Sequence, residues 1–218
     1  HQDIYDPGKD LSQMETQSLS NDKGLLAAAE YSRTHDADHD HAAQVCRLAM
    51  QLFDQTVSIH GLGEEDKRLL VAAALLHDLG WKTRPAAHHK GSRDIILVAD
   101  IEGFTSKEIA MIACLARYHR KAHPKDHHKV FRGLNAKARE RVRKLAALLR
   151  IADGLDRAHA ATVRQIRVRV QDKTFIVAVE QDPPSAIDIM GAERKKALFE
   201  EIFGLEAVIE APQSAQSE

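Results

Sequence analysis

Leu69-Leu70-Val71-Ala72-Ala73-Ala74-Leu75-Leu76-His77-Asp78 is the stretch on which the fold turns. Eight apolar residues in succession run straight into an imidazole and a carboxylate. The acidic pair Glu64-Glu65 and the glycine Gly80 bracket a helix of which this run is the buried part, with acids in the first turn and glycine past the last. An imidazole and a carboxylate desolvated at the end of a buried helix need compensation. A shared divalent cation supplies it for both and creates a reactive centre.

Outward from this helix the periodicity stays helical. Residues 1–24 are polar and aperiodic and are expected to form a flexible arm. Helices are expected over about 39–59, stopping near Gly61 and Gly63, then His89 to Ala99 after a loop containing Pro85. Thr105-Ser106-Lys107-Glu108 has the form of a capping box opening a helix to about Arg120. A basic loop, Lys121 to Leu134, precedes a long helix over about 136–158. From Val163 the period changes to two: Val163 to Val170 and Thr174 to Glu180 read as a hairpin turning at Asp172-Lys173. Ala186 to Met190 is expected to add a third strand, Ala192 to Phe203 a helix and Leu205 to Glu210 a last strand. The fold class is therefore mainly α: a helical bundle over 25–160 and a small C-terminal α+β appendage over 161–211.

A side chain can hold a metal inside the bundle only if it shares the core-facing stripe of its helix. His41 does so with Val45, Leu48 and Leu52, and His77 with Leu70, Ala73 and Ala74. Asp153 follows Val142, Ala146 and Leu149, and His119 follows Ile112, Leu115 and Ala116. A lone histidine on an apolar face is more often a hydrogen-bonded core residue than a ligand. Four helices each turning such a group inward change that balance.

Composition narrows the rest. The chain has 218 residues, 44% of them hydrophobic, enough for a real core. No segment approaches a membrane span and the first residues do not resemble a signal peptide, so the protein reads as soluble and cytoplasmic. The first residue is His1 rather than Met, which fits a processed or truncated product. Cys46 and Cys114 fall among apolar residues and read as small hydrophobes, which excludes a disulfide framework. Net charge is -1, yet Arg117 to Arg150 carries 12 Lys/Arg against Asp126 and Glu140. Such a sector suggests a phosphate-bearing ligand, with a solvated helix face as the plain alternative.

The order His41, His77-Asp78, Asp153 resembles the HD superfamily of metal-dependent phosphohydrolases. More of the chain resembles the C-terminal HD-type domain of the exopolyphosphatase/guanosine pentaphosphatase family. That likeness rests on His41-Ala42-Ala43-Gln44-Val45 with Leu52-Phe53-Asp54, Leu76-His77-Asp78-Leu79-Gly80, His89-Lys90-Gly91-Ser92, Arg117-Tyr118-His119-Arg120-Lys121, and Leu198-Phe199-Glu200-Glu201-Ile202-Phe203-Gly204, across roughly residues 25–210. Two departures stand out. The actin-like ATPase-fold domains that carry exopolyphosphatase chemistry lie outside this sequence, so that activity is not carried over. The family's His-Lys-His-Ser segment has Gly91 in place of its second histidine, with His88 added upstream, which weakens a second metal site.

The resemblance implies one divalent ion on His41, His77, Asp78 and Asp153. A second would take His88 or His89 with His119, and Asp78 would bridge. The mixed donor set suits Mn, Fe, Co, Ni or Zn. The expected activity is hydrolysis of a phosphate ester of a nucleotide or related phosphorylated metabolite by a metal-activated water, with Asp78 and His119 as catalytic groups. Lys82, Arg84, Lys90, Arg117, Arg120, Lys121, Arg150 and Arg157 are the candidates for phosphate binding, roughly half of them expected to be surface ion pairs instead. His35, His39, His60, His123, His127, His128 and His159 read as surface residues. Two alternatives stay open: a non-catalytic domain binding polyphosphate or a guanosine polyphosphate, and a di-iron oxygenase built on four His and two Asp. The expected partner is a phosphorylated small molecule or polyphosphate, with a homodimer left open.

Overall fold

A computed structural model describes residues 21–213, so the expected arm lies almost wholly outside the described residues. Lys23 and Gly24 already belong to the first helix, α1 (Lys23–His35), which Asp22 caps by accepting the Leu25 N–H at 3.0 Å. α2 (His39–Gln55) and the single turn α3 (Val57–His60) follow, broken at Thr56 and closed by Gly61 at φ 64°.

α4 (Glu64–Leu76) is the centre of the molecule. Every residue from Leu69 to Leu76 is buried, because α1, α2 and later helices cover it on several sides. A helix apolar all round has no solvent face to offer. It ends earlier than the sequence suggests: Asp78 leaves the helical region and Leu79–Lys82 forms a 3₁₀ turn. Gly80 serves close approach rather than capping. A Cβ there would lie 2.2 Å from the His88 carbonyl oxygen and 2.7 Å from Ser92 N, and its own N–H donates to Ser92 Oγ at 2.9 Å. That contact clamps the 3₁₀ turn to α5 (His88–Val98).

α6 (Ser106–Tyr118) opens with the expected capping box: Thr105 Oγ1 accepts Glu108 N–H at 3.2 Å and Glu108 Oε1 accepts Thr105 N–H at 2.9 Å. The basic loop contains a short turn, α7 (Lys129–Arg132). α8 (Ala136–Gly154) stops four residues before the expected limit and passes through turns to β1 (Val163–Gln171).

β1 and β2 (Thr174–Gln181) form the hairpin, turning at Asp172 with φ 56°. The expected third strand is instead part of a helix, α9 (Ala186–Glu193). Two contacts fix it. Buried Asp188 accepts the Ala158 N–H and the Thr162 hydroxyl, both at 2.8 Å. Gly191 also meets Gly154 of α8 so closely that a Cβ on either would strike the other's backbone, at 2.3 and 2.5 Å. The helix expected over Ala192 to Phe203 is accordingly split, with α10 (Ala197–Phe203) as its second part. β3 (Glu206–Glu210) then adds to β2 in parallel, giving the order β1-β2-β3. The fold is mainly α with a small C-terminal α+β appendage. No described helix is long and apolar enough to cross a membrane.

Candidate metal centre

The groups that the sequence turns inward meet at helix ends. His41 sits in the first turn of α2, and His77 and His119 directly follow α4 and α6. Asp78 opens the 3₁₀ turn, His88 begins α5 and Asp153 lies near the end of α8. His41, His77, Asp78, His88 and His119 are all buried. Helix termini leave carbonyls without intrahelical partners, and two of these histidines use them. His77 Nδ1 donates to the Ala74 carbonyl at 2.7 Å, and His119 Nδ1 to the Ala116 carbonyl at 2.5 Å. His41 Nδ1 pairs with Asp156 Oδ2 at 2.7 Å. In all three rings the Nδ1 proton is committed to an oxygen, which leaves Nε2 as the free donor atom.

Those Nε2 atoms converge on two carboxylates. His41 and His77 lie 3.0 and 3.2 Å from Asp153 Oδ1, and 3.6 and 3.5 Å from Asp78 Oδ2. The other oxygen of Asp78 faces the other pair, with His88 and His119 Nε2 at 3.3 and 3.4 Å. Asp78 thus stands between two histidine pairs, one carboxylate oxygen toward each. Its Oδ1 is buried without a hydrogen bond. Two ligands bonded to one ion at about 2.1 Å sit roughly 3.0–3.5 Å apart, the spacing found here.

Electrostatics differ between the two halves. Burial opposes a charged His41, but Asp153 and Asp156 outweigh it and raise this imidazole to about 10. Burial likewise opposes charge on His77 while Asp78 and Asp153 raise it. Asp153 is held well below the usual carboxylate range: burial works against that, and Lys195 and the two histidines overcome it. This half carries an excess of negative potential that suits a cation. In the other half burial keeps His88 and His119 neutral, with His77 adding to the effect on His119. His88 Nδ1 lies 3.1 Å from the Pro85 carbonyl and 3.0 Å from Arg120 Nη1. The first half therefore fits a metal as it stands, while the second requires the His88 proton on Nδ1, facing Pro85.

A cavity of about 290 Å³ opens onto Asp78, His119 and Asp153. Of the cations expected at its rim, Arg120, Lys121, Arg150 and Arg157 are there. Arg150 is largely structural: it donates to the carbonyls of Tyr118 at 2.8 Å and Lys121 at 3.0 Å, holding the chain where Lys121 takes φ 61°. Lys90 and Arg117 line a neighbouring cavity with His89, so of the adjacent histidines only His88 joins the centre. Arg84 pairs with Asp94 at 3.2 Å on the surface, and exposed Lys82 lines neither cavity. Part of the basic sector is likewise surface pairing, Arg139 and Arg143 with Asp126, while Arg141 pairs with buried Asp66.

Several contributors had no period to reveal them. Lys195 contacts Asp153 Oδ2 and donates to the His119 carbonyl at 3.0 Å, and Arg194 lines the same cavity; both come from the appendage. His159 stacks on His41 with centroids 3.7 Å apart, and Trp81 on His88 at 4.3 Å. His159 is exposed, as expected, and also lines the cavity. His60, also expected at the surface, is 1% exposed and bonds to the backbone.

Fold and site together define a class: a mainly helical domain whose helix ends aim imidazoles and carboxylates at one point beneath a cationic rim. The family follows from comparison with known proteins. The model of domain III of the Ppx/GppA phosphatases matches residues 26–184, well over half of the chain, and the protein belongs to that family. The setting is therefore that of a phosphatase family, and the His/Asp groups here are able to hold a metal ion.

Proposed function

We propose that this domain is a metal-dependent phosphohydrolase that cleaves a phosphate ester of a nucleotide or related phosphorylated metabolite. The observation that carries the reading is the convergence of His41, His77 and His119 Nε2 on Asp78 and Asp153, with every Nδ1 already committed to oxygen. His41, His77, Asp78 and Asp153 hold one divalent ion, drawn from Mn, Fe, Co, Ni and Zn. His88 and His119, together with Asp78, would hold a second. When bound, such an ion supplies Lewis acidity and a water of lowered pKa. Asp78 would orient a water toward phosphorus, and neutral His119 would offer Nε2 for its proton. Arg120, Lys121, Arg157 and Arg194 find no carboxylate partner among the described residues, and they receive the charge developing on the phosphoryl oxygens.

The test is elemental analysis of protein purified without chelator or metal-affinity resin, followed by a phosphoester screen with the metal found. One or more equivalents of transition metal, with turnover lost in Asp78→Ala, is the expected result. Less than about half an equivalent would count against the reading, because four such ligands hold an ion tightly. Metal without turnover of any phosphoester would favour a binding domain for polyphosphate or a guanosine polyphosphate. One observation favours a further reading: four histidines and two aspartates is also a di-iron donor count. Two irons per chain with no hydrolysis would select that oxygenase.

A further inference from the structure

Helix α9 is patterned inside out. Its aspartate, Asp188, is fully buried, whereas Ile187 is 58% exposed and Met190 50%. The inward face is taken by Asp188, Gly191 and Ala192, which meet the end of α8 and the turns after it. Ile187 and Met190, three residues apart, are left as neighbours on the outer side. Met50 and Met111, by contrast, are both buried. Folding gains nothing from two large apolar side chains in water. A helix that buries its carboxylate and exposes them departs from the rule that shapes the rest of the chain.

The two side chains help to form a concavity. A cavity of about 350 Å³ is lined by Ile187, Met190, Gly191, Arg157, Arg194 and Lys195. The last three also line the cavity over Asp78, His119 and Asp153, so the two spaces adjoin at these cations. No carboxylate faces the apolar side, since Asp188 is turned away to the Ala158 N–H and the Thr162 hydroxyl. An anion over the metal centre is therefore bordered by cations, with an apolar floor beyond them. Guanidinium groups stack on aromatic faces, and the unbranched thioether of methionine adapts to them. A second copy of this chain, docked here about a twofold axis, would set Arg157 and Arg194 against their own counterparts, and like charge disfavours that occupant.

Resting on the phosphohydrolase reading, we infer that Ile187 and Met190 form a specificity subsite for the organic part of the substrate, and that the substrate class is a phosphate monoester whose leaving group presents a flat apolar or aromatic face. The phosphoryl group lies over Asp78 and Asp153. Arg157, Arg194 and Lys195 flank the boundary, and the leaving group rests on Ile187 and Met190. A leaving group that is itself a charged chain gains nothing from that floor.

The subsite is tested by binding of phosphonates, which are not hydrolysed, so that its outcome does not depend on turnover. Calorimetry on the full chain compares methylphosphonate with 1-naphthylmethylphosphonate, in chelator and again with zinc. The naphthyl probe is expected to bind about tenfold or more tightly, the worth of partial burial of its ring system. Ile187→Ser and Met190→Ser are each expected to cut that ratio by several fold; both side chains are exposed, so neither change opens the core. With methionine methyl groups labelled with carbon-13, the Met190 signal, assigned by its loss in Met190→Leu, should move saturably with the naphthyl probe while those of buried Met50 and Met111 stay in place. Equal affinity for the two probes, a preference untouched in both serine variants, or a Met190 signal that follows protein concentration instead of probe overturns the inference. Naphthyl preference in a protein that turns over no phosphoester would leave the subsite standing and remove the hydrolytic reading; turnover without that preference would do the reverse.

Discussion

Asp156→Asn is the sharpest probe of the centre, because it changes one proton and little else. Asp156 is buried; its Oδ2 meets His41 Nδ1 at 2.7 Å and its Oδ1 accepts the Ala161 N–H at 2.9 Å. Asparagine keeps the Ala161 bond through its own carbonyl oxygen. Its amide then presents N–H to His41 Nδ1, which must accept. The imidazole proton moves to Nε2, the atom that faces Asp153 and Asp78, and the ring can no longer donate a lone pair there. Restoring the ligating tautomer sets two N–H groups against each other at hydrogen-bond distance. Loss of such an orienting carboxylate costs about 10–100-fold in metal affinity, or roughly 1.4–2.7 kcal/mol. Competition against a chelator of known affinity reads this directly, and circular dichroism checks the fold. A folded Asp156→Asn protein whose metal affinity lies within about twofold of wild type would refute the assignment of His41 Nε2 as a ligand atom.

Two other perturbations follow from the packing. Gly80→Ala drives a methyl group into the backbone of His88 and Ser92, neither of which can yield like a side-chain tip. It should cost about 3 kcal/mol or more and displace His88; a melting temperature within about 2 °C of wild type would contradict the clamp. His60, outside the centre, is held below its ordinary value by burial, as a neutral ring donating Nε2–H to the Phe53 carbonyl and accepting the Leu62 N–H. The unfolded chain then takes the proton first, so this contribution is complete above about pH 6.5 and declines as pH falls below it toward the lowered folded value. Urea midpoints between pH 7.5 and 5 should show the gap between wild type and His60→Gln narrowing as acid is added, and a gap independent of pH would exclude the mechanism.

What could be read in advance depended on whether a residue's direction was tied to a helix face. His41, His77, His119 and Asp153 each lie at helical spacing from residues with no option but the core, and the structure brings all four to one place. His88 and His89 start a helix after an irregular loop, with no preceding turn to fix their phase. Adjacent residues there differ by roughly 100° in direction, enough to send one to the metal centre and the other to the neighbouring cavity. The alternating segment Ala186 to Met190 was open to either period. Its helix is selected by Asp188 and Gly191, whose partners are distant in sequence.

The same Gly154–Gly191 crossing explains why Lys195 escaped notice. Gly154 is the residue after Asp153, and Lys195 lies one turn past Gly191. Bringing the two glycines into backbone contact therefore carries Arg194 and Lys195 over the carboxylate as a geometric consequence. No short-range pattern encodes this, since neither glycine looks unusual in its own segment. A boundary drawn after residue 160 would separate Asp153 from the ammonium that partners it. β3 packs against α9, with Ile209 N–H donating to Glu193, and Gln181 of β2 donates to Asp188, so the strands help hold α9 at this distance. A side chain larger than hydrogen at either glycine would lift the cationic rim away from the centre, so the appendage belongs to the site through packing as much as through charge.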